Sequence, residues 1–419
     1  MNTLTSTRKK FSNTTYPKDL VCFSHLRWNF VYQRPQHLLS RFARQFRVFF
    51  IEEPIFDSGF DLLSTTLSPE NVWIIVPHLR NGLSEKEISA VQKDLLNNFF
   101  QQMKLTRYMF WYYTPMALSI TDHFDAEVTV YDCMDELSAF KFAPASLKEY
   151  EKRLLKKADI VFTGGHSLYE AKKYAHGNIH PFPSSIDKEH FSVARKHKKE
   201  PADQASIPGR RIGFFGVIDE RMDMDLIRSV ADQRPDWHFV IIGPVVKIDP
   251  SSLPTNNNIH YLGGKSYKEL PEYLAGWDMA MIPFALNEST KFISPTKTPE
   301  YLAAGMPVVS TSIRDVVNPY GINGLVHIAD TPEQFIAAIE MEFRTQNKSG
   351  WLKNVDTFLA DDSWHNTWKR MMLLIGNVVD KKASKTDRDL KIFSKQKNKL
   401  HSAITPVIPI VVNQQQVSV

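Results

Sequence analysis

The sequence predicts two doubly wound α/β domains facing one another across a cleft. Three observations carry this reading. Short apolar runs alternate with helix-length amphipathic stretches from residue 19 onward. The runs are continuous rather than alternating, as in strands of a parallel sheet buried on both faces by helices. A charged stretch with two prolines and a glycine, Lys196–Arg211, interrupts the series and reads as an interdomain linker. A chain of 419 residues has room for two or three domains, each with its own core.

Residues 1–18 form a polar, Ser/Thr-rich extension without the apolar core of a signal peptide. The first domain, 19–200, has strand candidates Asp19–Ser24, Phe46–Glu52, Val72–Pro77, Met109–Tyr113, Val128–Cys133 and Ile160–Thr163. Helical patterns lie between them at Pro35–Gln45, Ser84–Lys104, Pro115–Phe124, Leu147–Lys157 and Ser167–Tyr174. The second domain, 201–355, repeats the alternation. Its strands are Arg211–Phe215, His238–Ile242, Ile259–Leu262, Met279–Pro283, Pro307–Thr311 and Gly324–Ile328. Its helices are Asp223–Asp232, Tyr267–Ala275, Thr298–Ala304 and Pro332–Thr345. In 356–380, Asp361–Val379 reads as an amphipathic helix with Trp364, Trp368, Met371, Met372 and Ile375 on one face. It is expected to cross back onto the first domain. Residues 381–419 read as a poorly ordered tail, basic and then rich in Gln and Val.

The formal charge of +5 belongs to that tail. Between Lys381 and Ala403, eight basic side chains face two acidic ones, so the remainder of the chain sums to −1. No nucleic-acid-binding face is implied, although the tail suits an anionic membrane surface. The two cysteines, Cys22 and Cys133, sit in apolar strands as core residues of a reducing compartment. No apolar run approaches the ~18 residues that span a bilayer. The expected location is the cytoplasm, with a peripheral association at the inner face of the membrane.

Ligands of open parallel sheets sit beyond the carboxyl ends of the strands. That rule selects Ser24–Arg34, Glu52–Gly59, Tyr113–Pro115, Asp132–Pro144 and Thr163–His166 in the first domain. In the second it selects Gly216–Asp223, Gly243–Val246, Gly263–Ser266, Phe284–Thr298 and Ser310–Val316. The cleft between them is the expected active site. No strand is followed by GxGxxG or GxxxxGK[ST], and neither HExxH, a Cys/His metal cluster nor GxSxG is present. Dinucleotide oxidation, P-loop phosphoryl transfer, metal hydrolysis and serine esterase chemistry therefore lack their signals.

The strongest constellation is Phe284–Thr311, FALNESTKFISPTKTPEYLAAGMPVVST. A strand ends in a polar loop with Ser294, Pro295, Thr296 and Lys297. A helix then starts near Thr298 or Pro299, carries Glu300 in its first turn and stops at Gly305. Free amides, a hydroxyl and a lysine at a helix start suit a diphosphate. Glu300 is placed to accept from vicinal ribose hydroxyls. Gly216, Gly243, Gly263 and Gly264 follow strands and let the backbone approach a nucleotide.

The segment SPTKTPEYLAAGMPVVST resembles the donor signature of GT-B glycosyltransferases, the broad GT4-like group of bacterial sugar transferases. The likeness runs over residues 19–376. It includes RWNFVYQRPQHLLSRFA, YDCMDELSAF, GFFGVIDERMDMDLI and FVIIGPV, and is similar to transferases of capsule, exopolysaccharide and teichuronic-acid synthesis. The resemblance implies two Rossmann-like domains, a nucleotide diphosphate sugar as donor substrate, a saccharide or lipid-linked saccharide as acceptor, and no bound metal or other cofactor. It makes Glu300 the ribose ligand. A second family glutamate would fall at 292, where this chain has Phe292, so Ser294 and Lys297 with nearby amides take over the donor sugar. Val217 replaces a family arginine, and Arg221 lies near the family's lysine position as a diphosphate contact. Thr296 and Thr298 complete the expected donor site.

Glycosyl transfer needs a held leaving group and relief of the acceptor hydroxyl's proton. Asp132, Asp135 and Glu136 cluster where strand Val128–Cys133 ends. Asp135 and Asp132 are the candidate bases, with His25 and His37 behind them. Arg27, Trp28, Gln33 and Arg34 are expected to shape the acceptor pocket, with Trp28 stacking on a sugar face. Two other readings remain open at this point: a non-hydrolysing nucleotide-sugar epimerase of the same fold, and a non-catalytic nucleotide-sugar-binding subunit of a polysaccharide complex.

Overall fold

In the computed structural model the backbone is described for residues 16–196 and 200–402. Pro17–Leu373 is one compact unit and holds both sheets; a second unit includes Leu374 onward.

The first sheet has nine strands. They are β1 Asp19–Ser24, β2 Arg47–Glu52, β3 Ile55–Ser58, β4 Leu62–Leu67, β5 Val72–Arg80, β6 Tyr108–Tyr112, β7 Val128–Cys133, β8 Ile160–Thr163 and β9 Ile179–Pro181. Their order is β3-β5-β2-β1-β6-β7-β8-β9, with β4 antiparallel on β5. Every residue of β1, β6, β7 and β8 is buried, which explains their continuous apolar runs. The second sheet is β12-β11-β10-β13-β14-β15. Its strands are β10 Arg210–Phe215, β11 Trp237–Ile242, β12 Ile259–Tyr261, β13 Met279–Ile282, β14 Val308–Ser310 and β15 His327–Ile328. All its pairs are parallel. Both are doubly wound, as expected.

Local signals set several helix ends. Ser84 and Glu87 form a reciprocal capping box at the start of helix Glu85–Gln102. Helix Lys297–Ala303 ends in a Schellman turn. Gly305 N–H donates to Leu302 O at 2.9 Å and Met306 N–H to Tyr301 O at 2.9 Å, with Gly305 at φ +78°. A glycine is needed there because that backbone conformation disfavours a Cβ.

Four expectations change. β3, β4 and β9 lie between or beyond the predicted strands: β3 is exposed and β4 partly so, so neither shows a continuous apolar run. The boundary at 200 moves upstream, because Ile186, Phe191 and Ala194 pack in the second domain's core. The stretch expected as a free linker is partly docked, with Gln204 accepting from Trp277 Nε1 at 2.8 Å and Arg211 paired with Glu200; residues 197–199 lie outside the described residues. Finally, helix Trp364–Ser402 runs through the expected break at 380. Its basic stretch is rich in Lys, which favours helix over coil. Residues 403–419 of the expected tail and residues 1–15 of the expected extension lie outside the described residues. As predicted, Trp364, Trp368, Met371, Met372 and Ile375 are all buried, and the start of this helix meets the first domain: Trp364 stacks on His37 at 4.7 Å and Trp368 lies edge-on to Phe42 at 6.3 Å. Among the described residues no helix is long and apolar enough to cross a membrane.

Candidate functional site

The carboxyl ends of the two sheets face one another. In the second domain, β13 leads into the loop that carries Ser294, Pro295 and Thr296, and then into helix Lys297–Ala303. The seven-residue helix begins at Lys297, one residue before the expected start, with Thr296 as its cap residue but without a side-chain cap bond. Thr298 and Glu300 are buried, and Lys297 is half-buried. Burial lowers the Lys297 ammonium and raises the Glu300 carboxyl, and each charge partly offsets the other's displacement. Lys297 lies over the rings of Phe214 and Phe284, 5.5 and 5.9 Å from their centroids, and accommodates itself against Gly216. A Cβ at Gly216 would collide with the lysine stem, and one at Gly243 with the Gly216 backbone. These two glycines, at φ +144° and +149°, therefore allow the close approach of strand ends and lysine. Gly263 and Gly264 differ: a Cβ at either would meet nothing within 4 Å, although Gly263 at φ +68° still favours glycine for its backbone conformation.

Glu300 and Lys297 make no hydrogen bond or ion pair with described protein groups, and the Thr298 hydroxyl is buried without a partner. The Thr298 hydroxyl is thus left for something other than described protein groups to satisfy, with the Lys297 and Glu300 side chains beside it in the same segment. Arg221 is different. It is bound in bidentate fashion to Asp219, at 2.9 and 3.1 Å through Nε and 2.6 Å through Nη2, so it reaches the cleft already paired.

In the first domain the three carboxylates after β7 have separate fates. Asp132 is fully buried and receives Arg34 in a fork at 2.7–3.1 Å, while Arg34 also donates to Phe182 O at 2.7 Å. This corrects two expectations. Asp132 and Arg34 are a buried structural pair, with neither a free carboxylate for proton transfer nor a free guanidinium for an acceptor. Glu136 pairs with Lys172 at 2.7 Å. Asp135 alone remains without a hydrogen bond to its carboxylate among described residues. Burial raises it to about 6, against the pull of Arg221, Arg34 and Lys297, which places it opposite the second domain's cations.

The acceptor candidates are mostly engaged in holding the first loop. Arg27 reaches Glu52 at 3.0 Å, Glu53 O at 2.5 Å and Pro54 O at 3.2 Å. Trp28 is 5% exposed and packs edge-on against Phe50 at 5.1 Å, so it borders the cleft as a core residue and offers no free face for stacking. Gln33 caps helix Arg34–Phe42 in a capping box with Gln36. His25 is half-buried with an unpartnered Nδ1, and burial beside Lys247 lowers it to about 4, so it is held neutral. His37 is likewise held neutral by burial and stacks on Trp364.

Sequence reasoning missed several cleft residues. Lys247 and Arg221 lie on the Phe140 ring at 5.9 and 5.7 Å, and Lys247 also acts on His25 and Glu53. Tyr267 stacks between Tyr32 at 4.8 Å and His190 at 4.3 Å. The strand-end rule stopped one residue short of both Lys247 and Tyr267. A cleft of about 1300 Å³ runs between the domains and is bordered by Trp28, Tyr32, Gly216, Gly243, Gly264 and Tyr267, among others. Among the described residues no three His, Cys, Asp or Glu side chains group as a metal site.

Residues 209–342 match the family model described as Glycosyl transferases group 1. A Bacillus subtilis (strain 168) protein, TuaH, named for glycosyl transfer in teichuronic acid biosynthesis, is 25% identical over 288 residues; this covers 64% of this chain and 71% of that one. Among solved structures, the trehalose-6-phosphate protein of E. coli bound with UDP-2-fluoro glucose matches with a TM-score of 0.63 at 10% identity, over 86% of this chain and 99% of that one. WaaG, a glycosyltransferase involved in lipopolysaccharide biosynthesis, matches with a TM-score of 0.56 at 12% identity, over 84% and 98%. Both structural likenesses show the fold alone, and the matches in sequence support a glycosyl-transferring enzyme.

Proposed function

We propose that the enzyme moves a sugar from a nucleotide diphosphate sugar to a hydroxyl of a saccharide or lipid-linked saccharide in surface-polysaccharide synthesis. The observation that carries this reading is the group Lys297, Thr298 and Glu300, with the Thr298 hydroxyl buried and unpartnered and Lys297 packed on Gly216 at the border of the cleft. Glu300 accepts from the ribose hydroxyls, and Lys297 holds the diphosphate. Ser294, Thr296 and backbone amides stand beside them. Arg221 adds positive charge only in part, since Asp219 shares it. No bound metal is needed in this scheme, because the ammonium of Lys297 meets the charge that develops on the leaving diphosphate. Asp135 takes the acceptor proton, being the one carboxylate after β7 left without a partner. Its raised affinity for a proton suits a base working near neutrality. Gly243, Gly263 and Gly264 leave open backbone for the nucleobase.

The named roles of TuaH and of the UDP-bound neighbours support the substrate class. We place the work in the cytoplasm, with the basic end of the chain drawing the enzyme to the anionic inner face of the membrane. An epimerase or a non-catalytic binding subunit has no observation in its favour.

The test is a thermal-shift screen of nucleotide diphosphate sugars, since a ligand that binds the native state raises stability by mass action. At least one uridine or guanosine diphosphate sugar is expected to raise Tm, and Glu300→Gln to reduce the rise at the same ligand concentration. If none stabilises the parent protein, the donor assignment fails.

A further inference from the structure

One contact across the cleft belongs to neither the donor trio nor the candidate base, yet it touches both loops. Helix His166–Lys172 follows β8 at the carboxyl edge of the first sheet. Its cap position is Gly165, which has no side chain to satisfy the first-turn amides. The cap comes from the other domain. Asp315, in the turn Arg314–Val316 after β14, accepts from Ser167 N at 2.9 Å and from the Ser167 hydroxyl through the same Oδ1. Asp315 is 5% exposed, and its Oδ2 is buried without a partner.

The surroundings fix what this contact can do. A Cβ at Gly165 would collide with Asp315 Oδ2 and press on the side chain of Ser294, the residue that opens the donor loop. A Cβ at Gly164 would collide with the backbone of Met134, next to Asp135. Two consecutive glycines therefore let the helix start pass between the donor loop on one side and the base loop on the other. The contact joins a residue of each domain. Opening would leave two donors of Ser167 to water and expose a carboxylate that is now sheltered.

We propose that Asp315 is a positioning residue: it caps a first-domain helix from the second domain and so sets the closed register in which Ser294 and Asp135 face the same cleft. The inference rests on the reading of this cleft as the transfer site, but its test does not depend on that reading. Domain closure would then be held by a defined pair, Asp315 with Ser167, at a point where a single added methyl group separates the lobes.

Small-angle X-ray scattering of the full chain, alone and with UDP as the probe, tests it. Two chemically unrelated variants, Asp315→Leu and Gly165→Ala, are both expected to show a larger radius of gyration than the parent. Asp315→Asn keeps an oxygen that can accept from the Ser167 amide and is expected to restore parental compaction. Tm recorded in parallel separates opening from unfolding: the two disruptive variants should still melt cooperatively. UDP affinity, measured by titration, is expected to fall more for Gly165→Ala, whose added methyl presses on Ser294 of the donor loop, than for Asp315→Leu. Equal compaction of parent, Asp315→Leu and Gly165→Ala in both states would overturn the proposal. Failure of the parent to bind UDP would count against the donor assignment alone, because the comparison of compaction without UDP still decides the role of Asp315.

Discussion

The two sheet edges that face the cleft are built on opposite principles. At the first, charges satisfy one another: Arg34 locks Asp132, Lys172 holds Glu136 and Glu151, and Arg27 ties Glu52 to the backbone beyond β2. At the second, Lys297, Thr298 and Glu300 are left unpaired by the described protein groups. Buried polar groups are normally hydrogen-bonded, and an unpaired one costs about 1–3 kcal/mol. A fold retains such a cost where a ligand removes it. The difference separates a closed network from an edge with groups to spare, and among the described residues Asp135 is the carboxylate after β7 that behaves like the second edge rather than the first.

Substitutions can break or sharpen that contrast. The largest effect is expected from Asp135→Asn, which should lower kcat by about 10²–10⁴-fold, the range of general-base catalysis, while leaving donor affinity in place; a kcat near that of the parent would remove Asp135 from the reaction. Next is Arg34→Met. It leaves Asp132 charged and unpaired in the core, so denaturant unfolding should show a loss of about 3–5 kcal/mol, whereas the double variant Arg34→Met, Asp132→Leu should recover much of it. A wild-type stability for Arg34→Met would show that the first edge is not a closed network. Glu300→Gln comes third, with donor affinity reduced by about 10–100-fold, corresponding to about 1.5–3 kcal/mol for a bond to a charged group, and with Tm unchanged or higher because a buried charge is removed. A lower Tm with unchanged donor affinity would instead make Glu300 a structural residue.

The smallest effect is a pH dependence. Asp135 is raised from 3.8 to about 6, so the folded protein holds its proton more tightly than the unfolded chain does. Its contribution to stability is full below 3.8 and is lost as pH rises through about 6. Asp135→Asn should therefore be more stable than the parent above neutrality, with the gap closing as pH falls toward 3.8. The transfer rate of the parent should rise as pH passes through about 6, where the carboxylate becomes free to accept a proton. Thermal melts and a kcat profile over that range check both signs.

The amino-acid order by itself determined the doubly wound architecture, because strands buried on both faces must be continuously apolar and the helices between them must be amphipathic. It also determined the local form of Ser294–Gly305, since its signals are local: a polar loop, a proline in the first helical turn and a glycine that must take a left-handed conformation. It did not reveal β3, β4 or β9, whose residues are short or half-exposed runs. Nor did it reveal how Ile186, Phe191, Ala194 and Ile207 dock on the second core, which depends on a partner surface distant in the chain.

Only the tertiary structure sorted the carboxylates. Asp132 and Asp135 are three residues apart and look equivalent in sequence, but Arg34, almost a hundred positions away, reaches one and not the other. The same holds for Asp315, whose partner Ser167 lies in the other domain. Charge, unlike hydrophobic periodicity, takes its meaning from whichever opposite group or donor the fold brings within 3 Å, and that neighbour is set by packing across the whole chain.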